Sequence, residues 1–203
     1  MDFSITDLDP GDEIAVQQTA GVLAASFPGH AEWSHLEAAL QEVIDSLAPP
    51  RLSRVAQSGN GTVLGWIGAV PLYAGNVWEI HLLAVHPACR KRGIGRALVE
   101  DLAGLARQRG GLTLWVGADD EDNRTSLGGA DLYPNPLEKL TAIHTRSQQH
   151  PFEFYQKLGF VLAGVLPDAN GRGKPDFFWQ NGYNHLTILQ GRRFIQKYTG
   201  IRH

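Results

Sequence analysis

Glu79 and His81 stand two residues apart in the otherwise apolar run Val77 to Val85, Val-Trp-Glu-Ile-His-Leu-Leu-Ala-Val. On a strand, alternate residues project from one side, so both would face the same way, with Leu83, unless a bulge intervenes. A carboxylate there can accept a proton, directly or through water, and a neighbouring imidazole can relay it or orient the carboxylate. The same pair also fits an edge carboxylate facing solvent and a hydrogen-bonded core histidine. Tyr155, in Phe152-Glu153-Phe154-Tyr155-Gln156-Lys157-Leu158, offers a phenol with an ordinary pKa near 10. Its neighbours equally make a plain apolar helix face.

Arg90-Lys91-Arg92-Gly93-Ile94-Gly95 lies between that strand and a helical pattern. A pyrophosphate needs converging backbone N–H groups and the positive end of a helix behind them. Glycines let the chain turn tightly and approach the phosphates, and three cations raise the local potential. The loop is no Walker sequence, because Gly-Lys-Ser/Thr is absent. A dinucleotide fingerprint would need a third glycine where Leu98 stands. A glycine-bearing helix entrance with a solvated basic turn has the same composition.

Other chemistries are less well supplied. Cys89 adjoins the loop, but no base stands at a fixed spacing to make it a nucleophile. The eight histidines show no metal-ligand spacing, so no metal is expected. A single cysteine suits a reducing compartment. The chain opens without a basic-then-apolar leader and has no run of about 18 apolar residues, so a cytoplasmic protein that neither spans nor binds a membrane is expected. A net charge of −3 over 203 residues argues against a nucleic-acid partner and suits a cationic one. Asp119-Asp120-Glu121-Asp122 is either a solvated loop, the usual fate of such runs, or part of a cation-binding field.

These residues need a scaffold. Short strands are expected at Phe3 to Ile5, Arg51 to Gln57, Val63 to Val70, Val77 to Val85, Leu112 to Val116, Phe160 to Leu166 and Asp176 to Trp179. Ser58-Gly59-Asn60-Gly61 reads as a hairpin turn. Two helices precede Pro49-Pro50, the second with Trp33, Leu36, Leu40, Val43, Ile44 and Leu47 on one face. Another carries Ile94, Leu98, Leu102 and Leu105, stopped by Gly110-Gly111. Asn135-Pro136-Leu137-Glu138 has helix-start chemistry, and a last short helix runs from Phe152 to Leu158. The reading is one mixed α/β (α+β) domain over residues 1–180 and a tail over 181–203. The tail's Arg192, Arg193, Lys197 and Arg202 fit a solvated extension or a partner-binding arm.

Arg90-x-x-Gly93-x-Gly95 after an apolar strand, with Phe154-Tyr155-Gln156-Lys157-Leu158-Gly159-Phe160 further on, resembles the GNAT superfamily of N-acetyltransferases. Trp66 to Tyr73, Trp78-Glu79-Ile80-His81, Ala118-Asp119-Asp120, Asp131-Leu132-Tyr133, His150 to Tyr155 and Gly164 to Gly171 are similar to one subgroup, the aminoglycoside 6′-N-acetyltransferases. The likeness runs from about residue 3 to about residue 180. It departs at Leu82, where proline is frequent in the subgroup, and at Ala118, where threonine is.

The resemblance implies a GNAT fold: a mixed central sheet of about six to seven strands, flanked by helices, with a splayed strand binding acetyl-coenzyme A. It implies that Leu83, Ala84, Val85, Arg90, Lys91, Arg92, Gly93, Ile94, Gly95, Arg96 and Tyr155 hold that donor. Glu79 would be the base, His81 its helper, the Leu83 N–H the oxyanion donor at a bulge, and Tyr155 the acid. Tyr73, Trp78, Glu79, Asp119, Asp120 and Asp122 would bind an aminoglycoside, and the protein would be a homodimer conferring resistance. Two other functions share these features: acetylation of a polyamine or protein amine, and a non-catalytic acyl-coenzyme A-binding module.

Overall fold

Strand formation follows the alternation of core-facing and outward residues, and seven strands result among the described residues. They are β1 (Phe3–Asp7), β2 (Leu52–Ser58), β3 (Val63–Leu72), β4 (Val77–Val85), β5 (Thr113–Asp119), β6 (Val161–Leu166) and β7 (Asp176–Gly182). They form one sheet in the order β1-β2-β3-β4-β5-β7-β6. Among the described residues only β4 and β5 pair in parallel. The helices are α1 (Glu13–Ser26), α2 (Leu36–Ser46), α3 (Ile94–Gln108), α4 (Pro136–Leu140) and α5 (Phe152–Lys157). The computed structural model describes residues 2–30, 32–33, 35–146 and 150–182. No helix among them is long and apolar enough to cross a membrane.

Each face of the sheet has its own core. Ile94, Leu98, Leu102 and Ala106 of α3 pack on Ile67, Ile80, Leu114 and Val116. On the other face Val16, Leu23, Ala39 and Val43 cover Val55, Trp66, Leu82 and Ala84. At Gly65 a Cβ would fall 3.0 Å from the Ala84 carbonyl and 3.1 Å from Ile94 Cγ2, so the start of α3 lies directly on β3.

The α2 stripe differs from expectation. Leu36 and Ile44 are exposed, and Ala39, Val43 and Ser46 face inward. Trp33 stands before the helix, edge-on to Phe27 and tilted against His30 in the α1–α2 connection. The sequence periodicity weighs bulk, whereas the contact between these helices favours small residues that allow close approach.

The centre of the sheet carries two departures from a regular ladder. β3 and β4 pair as Gly68↔Leu82 and then Ala69↔Ile80, which leaves His81 as the extra residue of a bulge. Trp78 and Ile80 before it face α3, while Leu82 and Ala84 after it face α1 and α2. Leu83 therefore does not share a side with Glu79 and His81, because the bulge reverses the alternation. The second departure is a split. β4 pairs with β5 only over Val77 to Glu79, opposite Thr113 to Trp115, and β5 then runs on against β7 alone.

β7 continues past the boundary expected at residue 180, since Asn181 and Gly182 pair with Leu114 and Thr113. The basic residues Arg192, Arg193, Lys197 and Arg202 lie outside the described residues.

Candidate active site

The split leaves one edge of β4 open beyond Glu79. The His86 N–H donates to the Leu64 carbonyl at 2.9 Å, which sets the phase of the β3–β4 ladder. By alternation, the amides of Leu82 and Ala84 point to β3 and those of Leu83 and Val85 to the open edge. The Val85 carbonyl on that edge accepts from Ser26 Oγ and Arg90 Nε, both at 3.2 Å. The Leu83 N–H thus faces the gap between the diverging strands, although the bulge itself sits two residues earlier.

The gap closes at the entrance of α3. Lys91 (φ 60°) and Gly93 (φ 84°) both adopt positive φ just before the helix, a backbone form that turns successive N–H groups toward a common point. No side chain caps α3, so its first-turn amides remain as donors beside the positive end of a 15-residue helix. These backbone features fit a diphosphate. Arg90 acts within the protein instead. Its guanidinium bonds the carbonyls of Val85 and Ser26 at 3.2 Å each, bracing the loop to the ends of β4 and α1. Arg96 lies 3.7 Å from Glu100 along the helix.

α5 meets the same junction. A Cβ on Gly95 would make ordinary contacts with the Phe154 ring at 3.4 Å and Val85 at 3.6 Å, so α5, the first turn of α3 and the end of β4 meet at this residue. Tyr155, next to Phe154, is buried against it and Phe160. Burial raises the phenol pKa well above its usual value, so the hydroxyl stays protonated at any working pH. Upstream, the fully buried His150 anchors α5. Its Nδ1 accepts from the Phe152 N–H at 3.3 Å, so Nε2 carries the proton and donates to the Asp119 carbonyl at 2.8 Å.

The sheet face opposite α3 gathers the carboxylates. Glu79 on β4, Asp119 on β5 and Asp176 on β7 share it, alternating with the core residues Ile80, Ala118 and Phe177. Burial raises the Glu79 carboxyl above its ordinary range, and the nearby His81 opposes that. Asp176 is pushed up to about 7, first by burial and then by the charges of Asp119 and Glu79. Asn170 Nδ2 donates to Asp119 and holds it in place. Trp115, opposite Glu79 in register, stands edge-on to Phe178 at 5.5 Å, so this face also carries an aromatic platform.

Two of the expected acceptor contacts are not made. Trp78 is 3% exposed, in the α3 core beneath the Arg109 guanidinium, because alternation turns it away from Glu79. Asp120 is fully buried, its carboxylate accepting from the Arg124 and Thr125 amides and Thr125 Oγ1 at 2.6 to 3.0 Å. It clamps the loop and has no free face for a ligand. Asp122 lies at the rim, exposed, 3.7 Å from Arg124. Tyr73, at the end of β3, is 77% exposed with φ 50°.

The profile of the acetyltransferase (GNAT) family matches residues 20–128. Two solved structures share 34% sequence identity with this chain and cover 89% of it and 97% of themselves. One is an aminoglycoside 6′-N-acetyltransferase complexed with coenzyme A (TM-score 0.82), the other the aminoglycoside 6′-N-acetyltransferase from Enterococcus faecium (TM-score 0.81). The chain belongs to the GNAT family. An aminoglycoside 6′-acetyltransferase of type Ii is similar at 29% identity over 89% of this chain and 97% of its own, with a TM-score of 0.68. A comparison with curated proteins found no match. This GNAT protein is an acetyl-coenzyme A-dependent acetyltransferase, and the split sheet is the expected fold. Among its described residues, no group of three or more His, Cys, Asp or Glu side chains could hold a metal ion.

In this GNAT enzyme Glu79 and His81 stand on β4 before the point where the strands part, the Leu83 amide lies on the open edge just beyond, and Gly95 of the 90–96 loop meets Phe154, the neighbour of Tyr155, at the entrance of α3. Asp176, Trp115 and His150 were not singled out as site residues from sequence. The signal for the first two was available: in β5 and β7 they hold the same phase as Glu79 once the neighbouring apolar residues are assigned to the core.

The raised Asp176 pKa has a measurable cost. Its unfolded form ionises near 4 and its folded form near 7, so stability falls as pH rises through that window. Asp176→Asn removes this penalty. Discounted for partial solvent exposure, the gain is about 1–2 kcal/mol above pH 7, or roughly 3–6 °C in Tm, and is absent at pH 4. A Tm difference that does not vary with pH would refute the assignment.

Proposed function

We propose that this acetyltransferase moves the acetyl group of acetyl-coenzyme A onto the 6′-amino group of an aminoglycoside, by direct transfer in a ternary complex, conferring resistance to the drug. The observation that carries the reading is the acceptor face, where Glu79, Asp119 and Asp176 converge beside the aromatic surfaces of Trp115 and Phe178. A polycationic aminosugar presents ammonium groups to the carboxylates and apolar ring faces to the indole. The named activity of the 34%-identical relatives supports it. With this reading go a cytoplasmic location and a homodimer.

Acetyl-coenzyme A supplies the acyl group as a thioester, and the residues present fit it. The amides at the start of α3 would grip the diphosphate, with Lys91 and Arg92 adding positive potential. The open edge of β4, Leu83 to Val85, would run alongside the remainder. An aliphatic ammonium has a pKa near 10, so its proton must leave before attack. Glu79 would take it through water, held ionised by His81. The Leu83 N–H would stabilise charge gathering on the thioester oxygen, a contribution worth about 3 kcal/mol for such donors. The Tyr155 hydroxyl, kept protonated by burial and so a weaker acid than an ordinary phenol, would donate a hydrogen bond to the departing sulfur.

The decisive experiment is thiol release from acetyl-coenzyme A with a kanamycin-type sugar, spermidine and a lysine peptide. We expect kcat/KM for the sugar to exceed the others by about 100-fold, with the product acetylated at the 6′ position. A preference for spermidine or the peptide would reassign the substrate. A thermal shift with acetyl-coenzyme A but no thiol release with any amine would make the protein a binding module.

A further inference from the structure

Glu42 breaks the pattern of its helix. It lies within the inward stripe of α2, three residues after Ala39 and four before Ser46, where an apolar side chain is expected. Its Oε1 is buried and finds no hydrogen bond of good geometry among the described residues. What it does meet is His81 Nε2, at 3.3 Å. The two form an ion pair, between side chains 20% and 38% exposed. A carboxylate in so enclosed a place needs a positive partner.

His81 needs Glu42 equally. As the extra residue of the β3–β4 bulge it has no residue opposite it on β3. The ladder therefore does not fix the direction of its ring. A contact from outside the sheet must do so, and α2 supplies it.

We propose that Glu42 is a positioning residue of the acceptor site: reaching from α2 to the bulged His81, it holds the imidazole cationic and turned beside Glu79, and so keeps Glu79 ionised to accept the amine's proton. The inference rests on Glu79 as the base. Glu42 from α2 and Glu79 from β4 favour protonated His81, and Arg51, just before β2, opposes it. Glu79 is pushed up by burial and drawn down by His81, and Asp176 reaches it from β7. The contact with Glu42 is the leading influence on His81 and outweighs its burial, so its pKa lies above the ordinary value. If the pair is broken, His81 loses its proton at lower pH and Glu79 loses its positive neighbour.

Two isolated substitutions test this, Glu42→Gln, which keeps shape and removes charge, and Glu42→Asp, which keeps charge. Titration of the His81 ring by NMR on the ligand-free protein reads the pair without any turnover. In Glu42→Gln the His81 midpoint should move to lower pH, and Glu42→Asp should restore it in part. In kcat/KM with an active amine, Glu42→Gln should lose about threefold to tenfold on the acid side, with the deficit vanishing as pH rises past the wild-type His81 midpoint. A His81 midpoint unmoved in Glu42→Gln overturns the proposal, whatever the activity. So does a loss that is equal at every pH, which would mark a merely structural role. Failure of the base reading is separate: it would appear as wild-type turnover in Glu79→Gln, while the NMR shift in Glu42→Gln persisted.

Discussion

Glu79→Gln lowers kcat with amine acceptors by about 10³-fold and leaves acetyl-coenzyme A affinity unchanged. Glutamine fills the same space on β4 and keeps a hydrogen-bonding end, but it cannot take up a proton. Its position on the acceptor face, in register with Trp115, puts the change away from the α3 entrance that would hold the donor. The pH dependence sharpens the expectation. A base must be ionised to work, and burial raises Glu79 above the ordinary carboxylate value while His81 partly opposes the rise. Wild-type kcat/KM should therefore fall on the acid side, with a midpoint above 4.5, the ordinary value for this side chain, and that limb should vanish in the variant. Stopped-flow thiol release over pH 4 to 9, with isothermal titration of acetyl-coenzyme A on both proteins, measures the two halves. A variant that retains wild-type kcat would transfer the base role to another group, with Asp176 the first to examine.

Gly93→Val weakens acetyl-coenzyme A binding by about 10²-fold. Gly93 sits at φ 84° as the residue before α3, a conformation that a β-branched residue adopts only with strain of order 1–3 kcal/mol. An added Cβ there would meet nothing within 4 Å, so the fold loses no packing and the protein should remain folded. The valine instead shifts the loop toward other backbone angles, and binding must then restore the donor geometry at the strain's expense. Gly95→Ala is the informative contrast. That position is helical, and its Cβ would lie 3.4 Å from Phe154, an ordinary contact, so the loss should be at least about tenfold smaller. Equal affinities in wild type and Gly93→Val would remove the loop from donor binding.

Most of the fold is legible in local patterns. Val77 to Val85, the α3 stripe through Ile94, Leu98 and Leu102, and the hairpin at Ser58 to Gly61 all appear where the periodicity and turn residues put them. What stays hidden is whatever depends on pairing between distant segments. The bulge at His81 arises from register against β3, and nothing in Glu-Ile-His-Leu-Leu announces it. Asp120 and Asp119 are adjacent acids, yet one is sealed by Thr125 and the other lies on the Glu79 face of the sheet. Only the path of the following loop decides between them. Trp78 lies in the core rather than in the acceptor site, and Trp115 on the opposite side of the sheet, for a similar reason: the core face of each strand is set by which neighbours cover it. Glu42 could not be linked to His81 without knowing that α2 lies across that end of the sheet.

The open edge of β4 also bears on how the protein withstands heat. β4 stops pairing with β5 after Glu79, so the sheet is short of rungs in its middle, and under the proposed donor binding those rungs would come from the bound donor itself. At a donor concentration 100 times its Kd, occupancy alone would add about 2.7 kcal/mol to the folded state. The tolerance of this enzyme to warming would then track the metabolic supply of acetyl-coenzyme A, and starved cells would hold a softer protein than fed ones.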